Sequence, residues 1–466
     1  MKVSIKGKIV FIPIEVKNRE YKAKLLLANY FLNEGYSVAI GSIWHMDPFL
    51  SDAKNSIYIT KDFYKYRYPF LSQLHENNNF IVGWDEEGLI YDSDEYYITT
   101  ALNESTLNTI DMIITWGERQ KRTIKKFINK NPNQLLPLGN PRLDLLKLDI
   151  AKKVFKSEVS YINANFGYDY ILINSNFNIA TRDDYDGIKA AVNCNGKNEK
   201  GVELIQKLNK LTKALAPVFF LAVKHIAERF PSKKIIFRPH PAEDIKTIKN
   251  IFKDYNNIYV EKKFAVNPWL VGASIIIHSG CTTGMEAAMM GKNVISYQPD
   301  IGEAYIDTVP DRLSKIVRSE DELLNILESY VNEKKILLSD KQKNILHDYV
   351  DIDENKTCSK KIIDSIKIFK SKSENSEFVF NTSISKYWKV KNIKPFNIEF
   401  GALNYEEFHT DLINIKKAMS FDYKDKIFFL TEHVFFIANR NSEIKFKLNF
   451  KRLFTISKKI VKKIFK

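Results

Sequence analysis

KKIIFRPHPAED (residues 233–244) and, one helix-sized interval later, ASIIIHSGCTTGMEAAMMGKNVISY (residues 273–297) carry the pattern that decides the fold. In each, a short continuous apolar run, 235–237 or 275–277, stops abruptly at polar residues suited to hold an anion. Strands buried on both faces of a parallel sheet read this way, and they end at a ligand crevice. After the second run, Ser279-Gly280-Cys281-Thr282-Thr283 leads into a helix of small residues, 284–290, whose first backbone N–H groups are free to cradle a phosphate.

The same alternation extends outward. Residues 170–173 form a strand that stops at Asn174-Ser175-Asn176-Phe177, 182–201 are a polar surface excursion, and 202–230 carry a long helical pattern. Upstream, KIVFIPIE (8–15), an apolar helix (21–35) and a second strand (37–40) make a βαβ unit, the opening of a doubly wound sheet. Runs at 56–60, 79–82 and 111–115 continue it, 136–142 is a tight Gly/Pro crossing, and 147–158 closes this half. Beyond 297 the pattern turns helical at 319–332, with Ser319 and Glu322 at capping-box spacing, and again at 340–349 and 404–420. The expectation is an α/β protein with doubly wound parallel-sheet domains at 1–160 and 161–345, a helical or irregular extension at 346–444, and a basic terminal segment at 445–466.

The 466-residue length admits two or three cores, and 44% hydrophobic with 27% charged residues is an ordinary globular balance. Cys194, Cys281 and Cys358 have no paired spacing, which argues against a disulfide framework or a zinc site and fits a reducing cytoplasm. The net charge of +15 is concentrated: 445–466 holds nine Lys or Arg and no acid. Its apolar residues fall near one helical side, the pattern of a helix lying on an anionic membrane, and no base-reading motif accompanies it to suggest nucleic acid. No apolar run reaches the roughly 18 residues of a spanning helix.

Three groups of residues suit chemistry. Arg238 and His240 sit just past a strand end, with prolines restraining the backbone, and such a pair neutralises a phosphate. His278, Ser279, Gly280, Thr282 and Thr283 offer hydroxyls and N–H groups at a helix start, with Glu286 one turn in to accept from ribose hydroxyls, and Asn174 and Asn176 suit a sugar or base edge. Asp85, Glu86 and Glu87 crowd before Gly88, and mutual repulsion makes at least one hold its proton more tightly. Asp92-Ser93-Asp94 and Asp351-Ile352-Asp353 have a D-x-D form but follow no convincing strand, so no metal is expected.

In this order, DEEG (85–88), RPHP (238–241) and HSGCTTGMEA (278–287) resemble bacterial surface-carbohydrate glycosyltransferases of the two-domain GT-B type. The pattern is closest to the retaining β-Kdo transferases, which use CMP-Kdo and are distant relatives of bacterial sialyltransferases. The resemblance covers roughly 8–345, and the hydroxyl turn departs from it, with Cys281 and two threonines where a serine pair is usual. It implies two Rossmann-like domains facing a cleft and transfer of Kdo or a related nonulosonic acid from its CMP ester, without metal, to a lipid-linked glycan. Under it Arg238 and His240 steady the phosphate, Glu286 meets the ribose, and the nucleophile and acid are sought among Asp85, Glu86 and Glu87, then Glu243 and Asp244. The tail would then hold a cytoplasmic enzyme on the inner membrane face. Rival readings are a CDP-glycerol glycerophosphotransferase, a UDP-N-acetylglucosamine 2-epimerase and a non-catalytic tether of a polysaccharide-assembly complex.

Overall fold

Strand-helix alternation folds the chain into two units, Met1–Leu145 with His347–Lys466, and Leu146–Leu346. The computed structural model describes residues 2–91, 93–128, 134–177, 199–240, 243–305, 307–332, 338–369, 376–381, 403–431 and 433–447.

The first unit opens with β1 (Lys2–Gly7), β2 (Ile9–Ile14), β3 (Ser37–Ser42), β4 (Ile57–Thr60), β5 (Phe80–Gly83), β6 (Met112–Ile114) and β7 (Leu135–Leu136). The second contains β8 (Tyr170–Asn174), β9 (Ile235–Arg238), β10 (Ile258–Val260), β11 (Ala273–His278), β12 (Asn293–Tyr297) and β13 (Lys315–Val317). The chain then returns to the first unit with β14 (Ser376–Asn381), β15 (Asp425–Thr431), β16 (Val434–Asn439) and β17 (Glu443–Lys447).

In the second unit the strand order is β10-β9-β8-β11-β12-β13, and every pairing is parallel. The first strand, β8, therefore lies inside the sheet, and the chain moves away from it to one side and then to the other. The gap between β8 and β11 is the topological switch point, where the connections diverge and leave a crevice at the strand ends. The first unit repeats the device: β2 pairs in parallel with β3 on one side and β4 on the other. Both units are Rossmann-like, doubly wound α/β domains, as the strand-tip motifs imply. Their parallel strands are buried on both faces, and β8 and β2 hide every residue.

Two boundaries differ from the sequence expectation. The first unit ends at Leu145, not near 160, because helices Leu148–Val154 and Lys156–Phe166 pack on helix Val266–Gly272 of the second unit. Residues 347–447 are also no separate helical extension. β16 runs antiparallel along β3 and β15 along β16, extending the sheet to eight strands, while β14 and β17 flank β1 in a second, antiparallel sheet.

Helices Cys358–Phe369 and Tyr405–Ala418 both pack on helix Lys17–Asn33. Asp144, wholly buried, fastens this return: it accepts the N–H groups of Cys358 and Ser359 at 2.6 and 2.9 Å and the Ser359 hydroxyl at 2.6 Å. The proposed terminal helix is also shortened, since 445–447 belong to β17, paired with β1. Its remainder, 448–466, and most of the expected excursion at 182–201 lie outside the described residues.

Candidate functional site

Asn174 ends β8 in register with Arg238 of β9 on one side and His278 of β11 on the other. The RPHP and HSG tips thus flank one strand and lie roughly 10 Å apart at the sheet's strand spacing. Asn174 is only 4% exposed, and its Nδ2 has no hydrogen-bond partner among the described residues. A buried amide N–H left unpaired is costly and uncommon, and at a switch point it marks a place where a ligand acceptor belongs. Beside it, helix Thr282–Met289 begins at Cys281 with no side-chain cap hydrogen bond, and the Gly284 N–H turns back to the Cys281 carbonyl. Ser279 and Thr283 are half-buried there, Thr282 and Asn176 are exposed, and Glu286 is half-buried one turn in.

The turn is held from beneath by residues with other duties than those expected of them. His278 is fully buried, and burial pushes its imidazole down to about 4 despite the nearby Asp311 charge, so it is neutral. Its Nδ1 accepts the Cys281 N–H at 3.3 Å, which leaves Nε2–H to donate to Ser314 Oγ at 2.8 Å; that hydroxyl in turn donates to Pro310 O. His278 is therefore a bolt under the helix start and not a charged phosphate ligand. Gly284 is required by this contact, because a Cβ there would enter the imidazole ring. Gly280, at φ +65°, makes the left-handed turn that L side chains rarely adopt. Its N–H donates to Asp311 at 3.2 Å, and Asp311 also receives Ser296 at 2.6 Å and Thr308 at 2.5 Å.

Beyond β9 the expected countercharge is largely committed elsewhere. Arg238 donates to the carbonyls of Lys263 and Phe264 at 2.9 and 3.0 Å and lies over the Trp269 ring, and burial lowers it to about 10. It braces the loop after β10, where Phe264 has a left-handed backbone. His240 is held below the ordinary imidazole range by burial and then by Lys262, so near neutrality it is uncharged. Glu243 is buried, and its carboxylate accepts from Ser175 Oγ at 2.6 Å, from the His240 N–H at 2.8 Å and from the Phe177 N–H. Asp244 is a surface helix cap, accepting from Thr247 and Lys246, and those bonds lower its pKa. Glu243 thus shapes two strand exits, with burial raising its pKa against the three donors, while Asp244 caps a helix at the surface.

In the first unit the acids after β5 divide three ways. Asp85 is 2% exposed and accepts from Tyr97 OH at 2.8 Å and the Glu87 N–H at 2.9 Å, and burial raises its pKa to about 7, with Glu87 and Asp62 adding smaller contributions. One acid does hold its proton tightly, but desolvation outweighs the crowding expected from sequence. Glu86 is buried between Trp84 Nε1 at 2.8 Å, Lys24 Nζ at 3.2 Å and Asn140 Nδ2 at 3.3 Å. Glu87 has an exposed side chain paired with Arg19. Gly88 is needed for close approach, since a Cβ would strike Gln120, the residue that donates to Tyr97 OH at 2.7 Å.

Around these acids lies a charged cluster that sequence reasoning missed. Lys61 Nζ bridges Glu15 at 2.7 Å and Asp62 at 2.8 Å, joining the ends of β2 and β4 across this unit's switch point. Lys24 Nζ bridges Glu20 at 2.8 Å and the Pro13 carbonyl at 2.8 Å, and Lys24 with Arg19 holds Glu20 down at about 2 against its complete burial. The available signal was charge placed directly after, or inside, apolar runs: Glu15 closes KIVFIPIE, Lys61-Asp62 follow IYIT, and Lys24 sits four residues after Glu20 in an apolar helix. Asp311 carried a fainter one, Thr308 three residues ahead as a helix cap. Among the described residues no group of three His, Cys, Asp or Glu is placed to hold a metal. Of the D-x-D acids, Asp94 pairs with Lys126, Asp351 with Lys361, Asp353 caps the turn at Asn355, and Asp92 lies outside the described residues.

No family model matches this chain, and no curated protein matches it. Solved structures align with this chain at low identity. The wall teichoic acid polymerase TagF soaked with CDPG aligns over 78% of this chain and 89% of its own at 11% identity and TM-score 0.44. The UDP-GlcNAc 2-epimerase of Neisseria meningitidis bound to UDP-GlcNAc aligns over 77% and 98% at 13% and 0.43. Another UDP-N-acetylglucosamine 2-epimerase aligns over 79% and 97% at 11% and 0.49.

Proposed function

We propose that the chain is a glycosyltransferase that holds a nucleotide-activated sugar at the β8/β11 switch point and transfers the sugar to a lipid-linked surface glycan. The observation that carries this reading is the unpaired, buried Asn174 amide beside a helix start with no side-chain cap. With Arg238 committed and His240 neutral, the donor phosphate is met by backbone N–H groups and the Asn174 amide, dipoles whose cost of orientation is already met by the fold. On this reading the donor is a CMP ester, of Kdo or a related nonulosonic acid, as the resemblance of the DEEG, RPHP and HSGCTTG motifs implies.

Asp85, which changes protonation near neutrality, supplies the acid–base group, and Glu87, the exposed acid of the three, is the candidate nucleophile of a retaining double displacement. Glu286 accepts from the ribose. No metal takes part, so turnover is expected to persist in excess EDTA.

Calorimetry with CMP, CMP-Kdo, CDP-glycerol and UDP-N-acetylglucosamine tests the donor. Binding of the cytidine monophosphate compounds supports the proposal; binding of UDP-N-acetylglucosamine alone points to an epimerase, and of CDP-glycerol alone to a glycerophosphotransferase. Residues 448–466 hold the enzyme at the inner membrane face. Their removal, which leaves β17 on β1 intact, is expected to abolish sedimentation with anionic vesicles, and undiminished sedimentation would disprove the anchor.

A further inference from the structure

We infer that the strand tips of the first unit form a subsite for a neutral glycosyl residue, with Asp62 Oδ1 accepting one of its hydroxyls and Tyr66 stacking against a sugar face. This rests on the glycosyl-transfer reading and extends it by naming the acceptor's chemistry. Asp62 follows β4 at the switch point and is 2% exposed; its Oδ2 takes Lys61 Nζ and the Tyr66 hydroxyl, each at 2.8 Å, while Oδ1 is buried without a hydrogen-bond partner among the described residues. A carboxylate oxygen in that state has an acceptor site that a ligand hydroxyl fits.

Tyr66 supplies the second element. Its hydroxyl is tied to Asp62, yet the residue is 57% exposed, and its ring stacks on Tyr64 with centroids 5.8 Å apart and planes 20° apart. A pair of stacked tyrosines at a crevice edge offers a flat apolar surface beside polar acceptors, the two features that a sugar ring presents in reverse. Burial, then the charges of Asp85 and Asp62, push the Tyr64 hydroxyl up to about 12, which places it among the same acids.

Charge selects against an acidic sugar. At the subsite itself two carboxylates, Asp62 and Glu15, share the one cation Lys61, so a carboxylate brought to Asp62 Oδ1 meets net repulsion there. A metal is the poorer occupant, because the Lys61 ammonium already sits between Asp62 and Glu15, paired with both.

Saturation-transfer NMR on the full chain tests this, with the methyl glycosides of glucose, galactose, N-acetylglucosamine and glucuronic acid as probes. At least one neutral glycoside is expected to give a signal stronger than that of the glucuronide. Tyr66→Ala, a surface change, is expected to cut it about threefold or more, while Tyr66→Phe, which keeps the ring, retains it. Absence of any neutral signal on the wild type, or a signal that Tyr66→Ala leaves unchanged, overturns the subsite. CMP binding is measured on the same samples. A CMP response without a sugar signal overturns the subsite alone, and a Tyr66-dependent sugar signal without a CMP response supports the subsite while overturning the donor reading.

Discussion

Ser175 gives its hydroxyl to Glu243 across 2.6 Å, joining the residue that follows β8 to one that follows β9. With the N–H groups of Phe177 and His240 on the same carboxylate, this one side chain sets the shape of two neighbouring strand exits. Glu243→Gln replaces an acceptor oxygen with an N–H₂ that opposes a donor. Urea unfolding is expected to show a loss of about 1–3 kcal/mol, and calorimetry a CMP affinity lowered roughly tenfold. An unchanged affinity would mean that the two exits keep their shape without the brace.

Asn174→Ala separates binding from folding. Its Nδ2 has no partner to lose, so stability is expected to stay within about 1 kcal/mol of wild type. Nucleotide affinity is expected to fall roughly tenfold, the worth of one hydrogen bond to a charged ligand. Paired denaturation and calorimetry on the same variant read both numbers.

Gly284→Ala drives a methyl group into the buried His278 ring and, through it, disturbs Ser314 and the Cys281 N–H. Overpacking of this kind costs about 1–3 kcal/mol. Thermal unfolding is expected to show a clear drop in Tm, and an undisturbed Tm would mean that the helix start shifts freely.

Asp85 makes stability depend on pH in a definite direction. Burial holds it near 7, while in the unfolded chain it titrates near 4, so between those values the folded protein binds the extra proton. Its contribution is complete below about 4 and is lost as the pH rises through about 7. Denaturation at pH 5 and pH 8 is expected to show wild type losing on the order of 3 kcal/mol more than Asp85→Asn, whose amide does not titrate. Equal slopes in the two proteins would show that Asp85 is ionised in the fold throughout.

The strand tips were legible because a buried parallel strand must be apolar until it ends and polar immediately afterwards. That contrast located Asn174, His240 and Ser279 within two residues of their observed strand ends. The roles were less legible. Arg238 and His278 have the residue types of anion ligands, but a guanidinium turns to whichever carbonyls the β10 loop presents, and an imidazole is neutral once wholly buried. Lys24, Glu20, Glu15, Lys61 and Asp62 are scattered over nearly fifty positions, and no local pattern announces that they share ion pairs.

Taken alone, the sequence determined the elements and the doubly wound class, since apolar period and turn chemistry act within a dozen residues. Only the tertiary structure decided that 347–447 rejoins the first unit, because an edge strand such as β3 accepts any partner with free backbone groups, and the β16 that takes the place lies almost four hundred residues away. It also decided which charged groups remain free to act, because burial and partner choice are properties of neighbours in space and not of neighbours in the chain.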